Sequence, residues 1–523
     1  MLFTLLDCYT DEPAGLGVPP YIGTYPRYLA GAILESKNKV CYLTIDDLRY
    51  YTLRITNFNT SEDGLVTKIQ EEKQKIRTNI KIKNLTPNIF EIPQIFKKTD
   101  ILIIIAGIHT PGKYLSALPG TTREVDQLLR NINYTGFTVL TGPAANLGSG
   151  LYGGKIAREV SRDFDNFNLI VNNLEFKISD LIKNKFDSDI ETSIEYKNLK
   201  TIAIRGAEIV RQYPNYPNFL IAEIETSKGC PRKPGCSFCT EPLKSNIIQR
   251  RSVQDIIAEV QALYIQGIRN FRLGKQSCFY SFGTAAEIEK LLKGVREFAT
   301  ILHIDNANPV AITDEKTKII VKYCTEGNIA ALGVESFDPT VIKANNLNSD
   351  PETSYQAIQI LNKYGAQRGT NGMPLFLPGI NILFGLDQES KKTHEENMFW
   401  LKKILEEGLL VRRINIRQVV IFPGTSLSAG CRNKYIRKNK KYYWKWRNDI
   451  RQSIDAPMLK RLLPIGTILK GIRTEIYDGN TTFGRQFGTY PLIIGIKKRL
   501  ALDQFIDVTV SGHMLRSIVA NQI

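Results

Sequence analysis

The chain reads as an α/β protein in three parts: an N-terminal doubly wound, Rossmann-like domain, a central partial (β/α)6 barrel and a small C-terminal β-barrel. Three observations predict this. Apolar runs of strand length alternate with segments of helical periodicity through the first two parts, the pattern of parallel sheets covered by helices. Beyond Leu463 the pattern changes to short β runs punctuated by glycine. The length of 523 residues suits about two to four domains, and 43% hydrophobic residues suffice for several packed cores. The expected boundaries are residues 1–200, a linker at 201–217, residues 218–455 and residues 456–523.

In the first part, Met1-Leu2-Phe3-Thr4-Leu5-Leu6-Asp7 is a strand that opens into a loop rich in proline and glycine, Gly15 to Pro20. The helix Tyr28 to Leu34 follows, then strands at Val40 to Ile45, Ile101 to Ala106 and Phe137 to Leu140, the last running into Thr141-Gly142-Pro143. The order suggests a doubly wound sheet whose loops gather at the strand ends.

The second part opens with the apolar run Phe219 to Ile224 and then Cys230, Cys236 and Cys239 within ten residues. Three thiolates at this spacing can hold three irons of a four-iron cluster and leave the fourth iron open. Structural zinc needs four closed ligands, and neither a second C-x-x-C pair nor a nearby histidine supplies the fourth. Disulfide use would leave one cysteine over. Zinc and structural thiols stand as the competing readings. After the triplet, Ser252 N-caps a helix beginning Val253-Gln254-Asp255. Strands follow at Ile268 to Gly274, His303 to Asn308, Ala331 to Ser336, Gly379 to Leu386 and Ile414 to Ile421. Six strands alternating with helices make a parallel, barrel-like sheet, whose sites gather at carboxyl strand ends.

On these residues the chain resembles the radical SAM superfamily, in which such a cysteine loop follows the first strand of a partial (β/α) barrel. The resemblance implies a [4Fe-4S] cluster on Cys230, Cys236 and Cys239, with S-adenosylmethionine chelating the open iron and cleaved reductively to a 5′-deoxyadenosyl radical. The usual spacing there is C-x3-C-x2-C; this chain has two more residues in the first gap. Phe238 matches the aromatic that packs beside adenine. Gly274 and Gln276 stand where many members carry Gly-Gly-Glu for the SAM ammonium, with Lys275 a departure. Glu335 and Ser336, in Gly333-Val334-Glu335-Ser336, match a motif that reaches the SAM ribose or carboxylate. Gly385 lies in a run similar to the one making backbone contact to adenine. A ferredoxin- or flavodoxin-like electron donor is implied as a partner.

The first part resembles the cobalamin-binding-like domain that precedes many radical SAM barrels, so cobalamin is a further candidate cofactor. The Asp-x-His-x-x-Gly cobalt-ligand motif is absent, and His109 does not match it. Methylthiotransferases of the superfamily are a three-domain analogy, but their second cluster needs three N-terminal cysteines and this chain has Cys8 and Cys41 there. The closer resemblance is to an archaeal radical SAM group with a cobalamin-binding-like front domain and a C-terminal barrel.

The third part carries β runs at Gly466 to Lys470, Thr474 to Tyr477, Thr482 to Gln486, Leu492 to Gly495 and Phe505 to Val510. Five such strands suggest an oligonucleotide-binding-type barrel, similar to the TRAM module. Arg473, Arg485, Lys497, Lys498 and Arg499 are candidate phosphate contacts, and Tyr477, Phe483, Phe487 and Tyr490 either stack on bases or fill the barrel. A formal net charge of +17 favours polyanions such as RNA. Residues 434–447 interleave cations with aromatics, either tracking a phosphate backbone or forming a helix that packs Trp444 and Trp446 inward.

No apolar run reaches membrane-spanning length and the N-terminus lacks signal-peptide features, so no membrane partner and a cytoplasmic location are expected. The remaining cysteines, Cys8, Cys41, Cys278, Cys324 and Cys431, are then free thiols. Cys278 is also a candidate hydrogen donor. The expected function is radical SAM modification of RNA, tRNA in particular. The alternatives are a cobalamin-dependent radical SAM methyltransferase of a small metabolite and a non-catalytic RNA-binding iron–sulfur protein.

Overall fold

The computed structural model describes residues 1–12, 15–56, 82–108, 115, 117–149, 153–157, 166–186, 196–230, 232–245 and 248–523. The chain forms two compact units. One comprises Met1–Tyr152, Ala157–Ile224 and Gln254–Arg269; the other comprises Gly153–Ile156, Glu225–Val253 and Asn270–Ile523.

In the first unit, strands β1 (Leu2–Asp7), β2 (Lys39–Thr44), β3 (Ile101–Ile105), β4 (Phe137–Thr141) and β5 (Leu169–Ile170) form one sheet in the order 2-1-3-4-5. Every pairing is parallel. β1 and β3 are apolar on both faces because helices cover both sides. The order reverses between β1 and β3, which places the switch point of a doubly wound sheet there. Residues 201–217, read from the sequence as a linker, are instead packed structure. They continue the helix Leu199–Arg205 into the tight turn Gly206–Gln212, against the helix Thr24–Glu35. A Cβ at Gly31 would collide with the carbonyl of Ile202, and one at Gly206 with the carbonyl of Arg27. The two glycines let the backbones touch, a contact that hydrophobic periodicity does not announce.

Strand β6 (Ile221–Glu225) pairs in parallel with Tyr21–Ile22. In the second unit β7 (Asn270–Gly274) pairs with β8 (Ile301–Ile304), and β9 (Asn306–Ala307) with β10 (Asn328–Glu335). β10 pairs with β11 (Phe376–Phe384), and β11 with β12 (Arg413–Gln418). All are parallel, and the helices Ala285–Arg296, Asp314–Tyr323, Pro351–Gly365 and Lys391–Glu406 alternate with them. Their ends are written in the sequence: Thr284 and Glu287 make a reciprocal capping box, and Asp350 accepts from Thr353 N at 2.6 Å.

The C-terminal strands β13 (Ile468–Asp478), β14 (Thr481–Gln486), β15 (Ile493–Ile496), β16 (Phe505–His513) and β17 (Ser517–Gln522) close into a barrel in the order 13-14-15-17-16. Leu469, Ile472, Ile494, Val508, Val510 and Ile518 fill it. Five strands were expected here, but a different five. The runs at 466–470 and 474–477 are one bent strand, with a register shift between Leu469 and Ile472, and the last strand, Ser517–Gln522, was not foreseen. Among the described residues no helix is long and apolar enough to cross a membrane.

Candidate functional site

The cysteine loop leaves the short strand Ser227–Lys228 through Gly229, whose φ of 86° only glycine adopts without strain. Its far end is bolted to the turn that follows the helix Pro339–Ala344. Asn345 accepts from Ser237 N through its carbonyl at 2.9 Å and from the Ser237 hydroxyl through its amide oxygen at 2.7 Å. The same side chain donates to Asp387 O at 3.0 Å. Arg232 donates to Cys236 Sγ at 3.0 Å and to Leu347 O at 3.1 Å, while Leu427 N donates to Ser237 O at 2.7 Å. Cys236 and Phe238 pack against Val341, Leu347, Leu386, Val419, Ile421 and Leu427, at the carboxyl ends of β11 and β12.

The three thiols lie within electrostatic reach of one another. Burial pushes the Cys236 thiol up to about 11, against the favourable charge of Arg232, and pushes Cys239 further in the same direction. Among the described residues no three His, Cys, Asp or Glu side chains converge on a single-ion site. In a cubane each thiolate ligates a different iron. Buried thiols that would be costly to ionise alone become thiolates when cationic iron takes the proton's place.

The other residues singled out in the sequence fall into two groups. Glu335 ends β10 at a register shift, with φ of 63°, in the left-handed region that a glutamate rarely occupies. Burial pushes its carboxyl up to about 8, with the charge of Arg417 opposing. Phe238 is partly buried and packs against the apolar cluster below the loop. Glu335 is within electrostatic reach of Cys236, and Phe238 belongs to the loop itself. The rest are engaged by the fold. Gln276 is fully buried, its amide oxygen accepting from the Thr226 hydroxyl at 3.2 Å and its Nε2 donating to Leu273 O at 3.2 Å. Ser336 Oγ accepts from Asp338 N at 3.1 Å, and Gly274 O accepts from Thr226 N at 3.3 Å. Gly385, with φ of 95°, donates its N–H to Glu389 at 2.6 Å. Cys278 is buried and accepts from Asn308 N at 3.2 Å.

Lower in the same strands the polar groups close on themselves. Asp305 pairs with Arg272 and accepts from the Tyr490 hydroxyl at 3.0 Å. Arg413 lies over the Tyr490 ring, 4.1 Å from its centre, and Arg412 donates to Tyr490 O at 3.0 Å. Thr489 N donates to Nδ1 of the buried His303 at 2.9 Å. The turn between β14 and β15 thus enters the parallel strands as a plug. In β10 to β12, Arg413 and Gly379 stand nearer the amino-terminal side, and Glu335, Arg417 and Leu383 near the carboxyl end, while Asp305 links β8 to β9.

The Radical SAM superfamily matches residues 224–382. The chain is 42% identical over 547 residues to the uncharacterized protein MJ0274 of Methanocaldococcus jannaschii, covering 99% of this chain and 93% of that protein. An uncharacterized protein of Archaeoglobus fulgidus is 34% identical over 540 residues, covering 99% and 90%. The chain belongs to this archaeal family and carries a radical SAM domain. Among solved structures it is similar to the radical S-adenosylmethionine methyltransferase TsrM of Kitasatospora setae, bound to tryptophan and a SAM analogue, at 13% identity and a TM-score of 0.48. That match covers 91% of this chain and 79% of TsrM. The radical SAM domain implies a [4Fe-4S] cluster and S-adenosylmethionine as cofactors, and the loop of Cys230, Cys236 and Cys239 is the part of the chain that fits the cluster.

Sequence reasoning missed Asn345, Arg417 and the Tyr490 plug. The signal for Asn345 was slight: an Asn-Asn pair closing a short helix, where a left-handed residue such as Asn346 is expected. Two residues assigned to phosphate contact are in ion pairs, Arg473 with Asp503 and Arg485 with Glu475, both at 2.7 Å. In the first unit Asp7, at the end of β1, accepts from the Tyr42 hydroxyl at 2.7 Å and Tyr9 N at 2.8 Å. His109 lies outside the described residues.

Proposed function

We propose that the protein is a radical SAM enzyme acting on a small molecule held inside the parallel strands of the second unit. The observation that carries this is the pairing of the two strand ends. The Tyr490 plug closes one, and the cysteine loop packs at the other, leaving a polar face of β10 to β12 between them. When bound, the cluster supplies the electron that cleaves S-adenosylmethionine to a 5′-deoxyadenosyl radical. The chain's residues orient and shelter the reaction: Asn345 and Arg232 hold the loop, Phe238 packs it onto the apolar cluster, and Glu335 stands beside it with its carboxyl pKa raised by burial. A methyl transfer assisted by cobalamin at the switch point of the first unit is the favoured outcome, since the 2-1-3-4-5 sheet has the crevice such a cofactor uses.

RNA modification is the second reading, favoured by the helix Lys434–Ile450. Trp446 is buried there, whereas Trp444 is 67% exposed with Arg447 over its ring, an outward stacking face amid lysines. A cavity of about 690 Å³ beside it, lined by Arg432, Lys434, Arg437 and Lys438, suits an acidic electron donor. The test is anaerobic reconstitution followed by dithionite-dependent formation of 5′-deoxyadenosine, with Cys236→Ala as control and the corrinoid absorption band read on the same sample. Product from the wild type alone supports the enzyme. A filled cluster that binds S-adenosylmethionine but never cleaves it, with archaeal small-molecule extract or tRNA added, overturns it.

A further inference from the structure

Strand β12 alternates sharply. Ile414 and Ile416 are buried on one face, while Arg413, Asn415 and Arg417 share the other and are only partly covered. The face continues onto β11, where Gly379, Asn381 and Leu383 stand opposite those three residues, and Asn415 donates to Asn381 at 3.1 Å. Glu335 lies one strand further at the level of Ile382, beside Arg417. Arg417 therefore stands at the carboxyl end of the strands, on the side of the cysteine loop.

Other arginines nearby have a carboxylate or carbonyl partner, although Arg451 Nε is also buried without one among the described residues. Arg272 is paired with Asp305, Arg451 with Asp455, and Arg412 donates to the Tyr490 carbonyl. Among the described residues Arg413 and Arg417 make neither a hydrogen bond nor an ion pair, and Arg417 Nε is buried without a partner. Arg413 has the Tyr490 ring as its neighbour; Arg417 has no such cover. A guanidinium with an unmet buried donor is costly, and its planar fork matches a carboxylate or phosphate through two parallel hydrogen bonds.

We propose that Arg417, with Asn415 beneath it on the same face, receives an anionic group of the substrate, a carboxylate or a phosphate. This rests on the reading of the chain as a radical SAM enzyme. The anion fixes one end of the substrate at β12 and turns the remainder toward the cysteine loop.

The test titrates inorganic phosphate and malonate calorimetrically into the reconstituted, S-adenosylmethionine-loaded protein. Wild type, Arg417→Gln, Arg417→Lys and Asn415→Asp are compared, and S-adenosylmethionine affinity and iron content are measured on each. The wild type is expected to bind at least one probe. Arg417→Gln weakens it by about tenfold or more, Arg417→Lys by less, and Asn415→Asp weakens it through repulsion, with S-adenosylmethionine affinity held within about twofold. Phosphate preferred over malonate marks a phosphorylated substrate, and the reverse a carboxylate. Asn415→Asp keeps the test valid should Arg417→Gln fail to fold. Absence of binding to either probe, or equal binding by wild type and variants, overturns the assignment. So does a tenfold loss of S-adenosylmethionine affinity in Arg417→Gln, which would give the arginine to that cofactor's carboxylate. Failure of the wild type to form 5′-deoxyadenosine while still binding the anion would remove the catalytic reading and leave the anion site standing.

Discussion

The two ends of the parallel strands in the second unit are built on opposite principles. At the plug, Arg272, Asp305, His303, Tyr490 and the Thr489 backbone pair with one another, leaving the buried Thr489 hydroxyl without a partner among the described residues, and the pieces come from residues nearly two hundred positions apart. On the side of the cysteine loop, the ends of β7, β10 and β11 turn through left-handed residues, Lys275, Glu335 and Gly385. There the thiols resist ionisation and Arg417 keeps an unmet donor. The same strands therefore hold a polar network whose charges are paired at one end and, among the described residues, an arginine without a paired charge at the other. Polar groups that a fold leaves unmatched at strand ends mark where a ligand completes them.

The comparison is broken most severely at the cysteine-loop end. Cys236→Ala or Cys239→Ala should abolish the bound cluster and with it S-adenosylmethionine cleavage, while far-UV circular dichroism stays unchanged; iron content and the visible absorbance of the cluster check this, with total loss expected. Folding should survive because these thiols contribute packing that alanine largely replaces.

At the plug end the same kind of deletion should attack stability instead. Tyr490→Ala removes a ring packed against Arg413 and the hydroxyl on Asp305. Denaturant unfolding should report a loss of about 3 kcal/mol. Tyr490→Phe, which removes only the hydroxyl, should cost about 1 kcal/mol. Equal losses would place the stabilisation in the hydrogen bond rather than the ring.

Acid sharpens the contrast. Burial holds His303 down to about 4, so the folded protein keeps it neutral while the unfolded chain protonates near 6.5. The unfolded state thus binds more protons between these values, and stability present above pH 6.5 is lost as the pH falls through 4, by about 3 kcal/mol. His303→Gln should flatten that part of the profile in thermal melts across this range. An unchanged slope would locate the acid sensitivity elsewhere.

The smallest effect is expected from Asn345→Ala. The loop loses its hydrogen bonds to Ser237 and Asp387, and about 1–2 kcal/mol of local anchoring with them. Faster loss of iron to a chelator, with the global unfolding midpoint little changed, is the readout.

Much of the architecture was legible because strands covered on both faces must be apolar throughout. Ile101 to Ile105 and Leu2 to Leu6 are apolar or β-forming without a break, and no other element suits runs so short. Reading failed where a contact rather than a pattern decides the structure. The segment 201–217 has no strong periodicity, yet glycines at 31 and 206 pull it onto a helix. The strand Ser517–Gln522 alternates weakly and acquires its place from its partners β15 and β16. Gln276 stands where the resemblance led a cofactor contact to be expected, but its buried amide bonds within the fold.

The sequence by itself determined the chemistry of the cysteine loop, since thiolate ligands can be supplied only by cysteines and their close spacing is a property of the chain. It also determined the alternation of strand and helix, which follows from local hydrophobic periodicity. Only the tertiary structure decided which polar residues are consumed and which are left unmet. Arg473 and Arg417 are both arginines on strands, and one is paired while the other carries a buried Nε without a partner. That difference depends on which carboxylates and carbonyls distant segments bring alongside. Electrostatic satisfaction acts through space over a few ångströms, and distance along the chain says nothing about it.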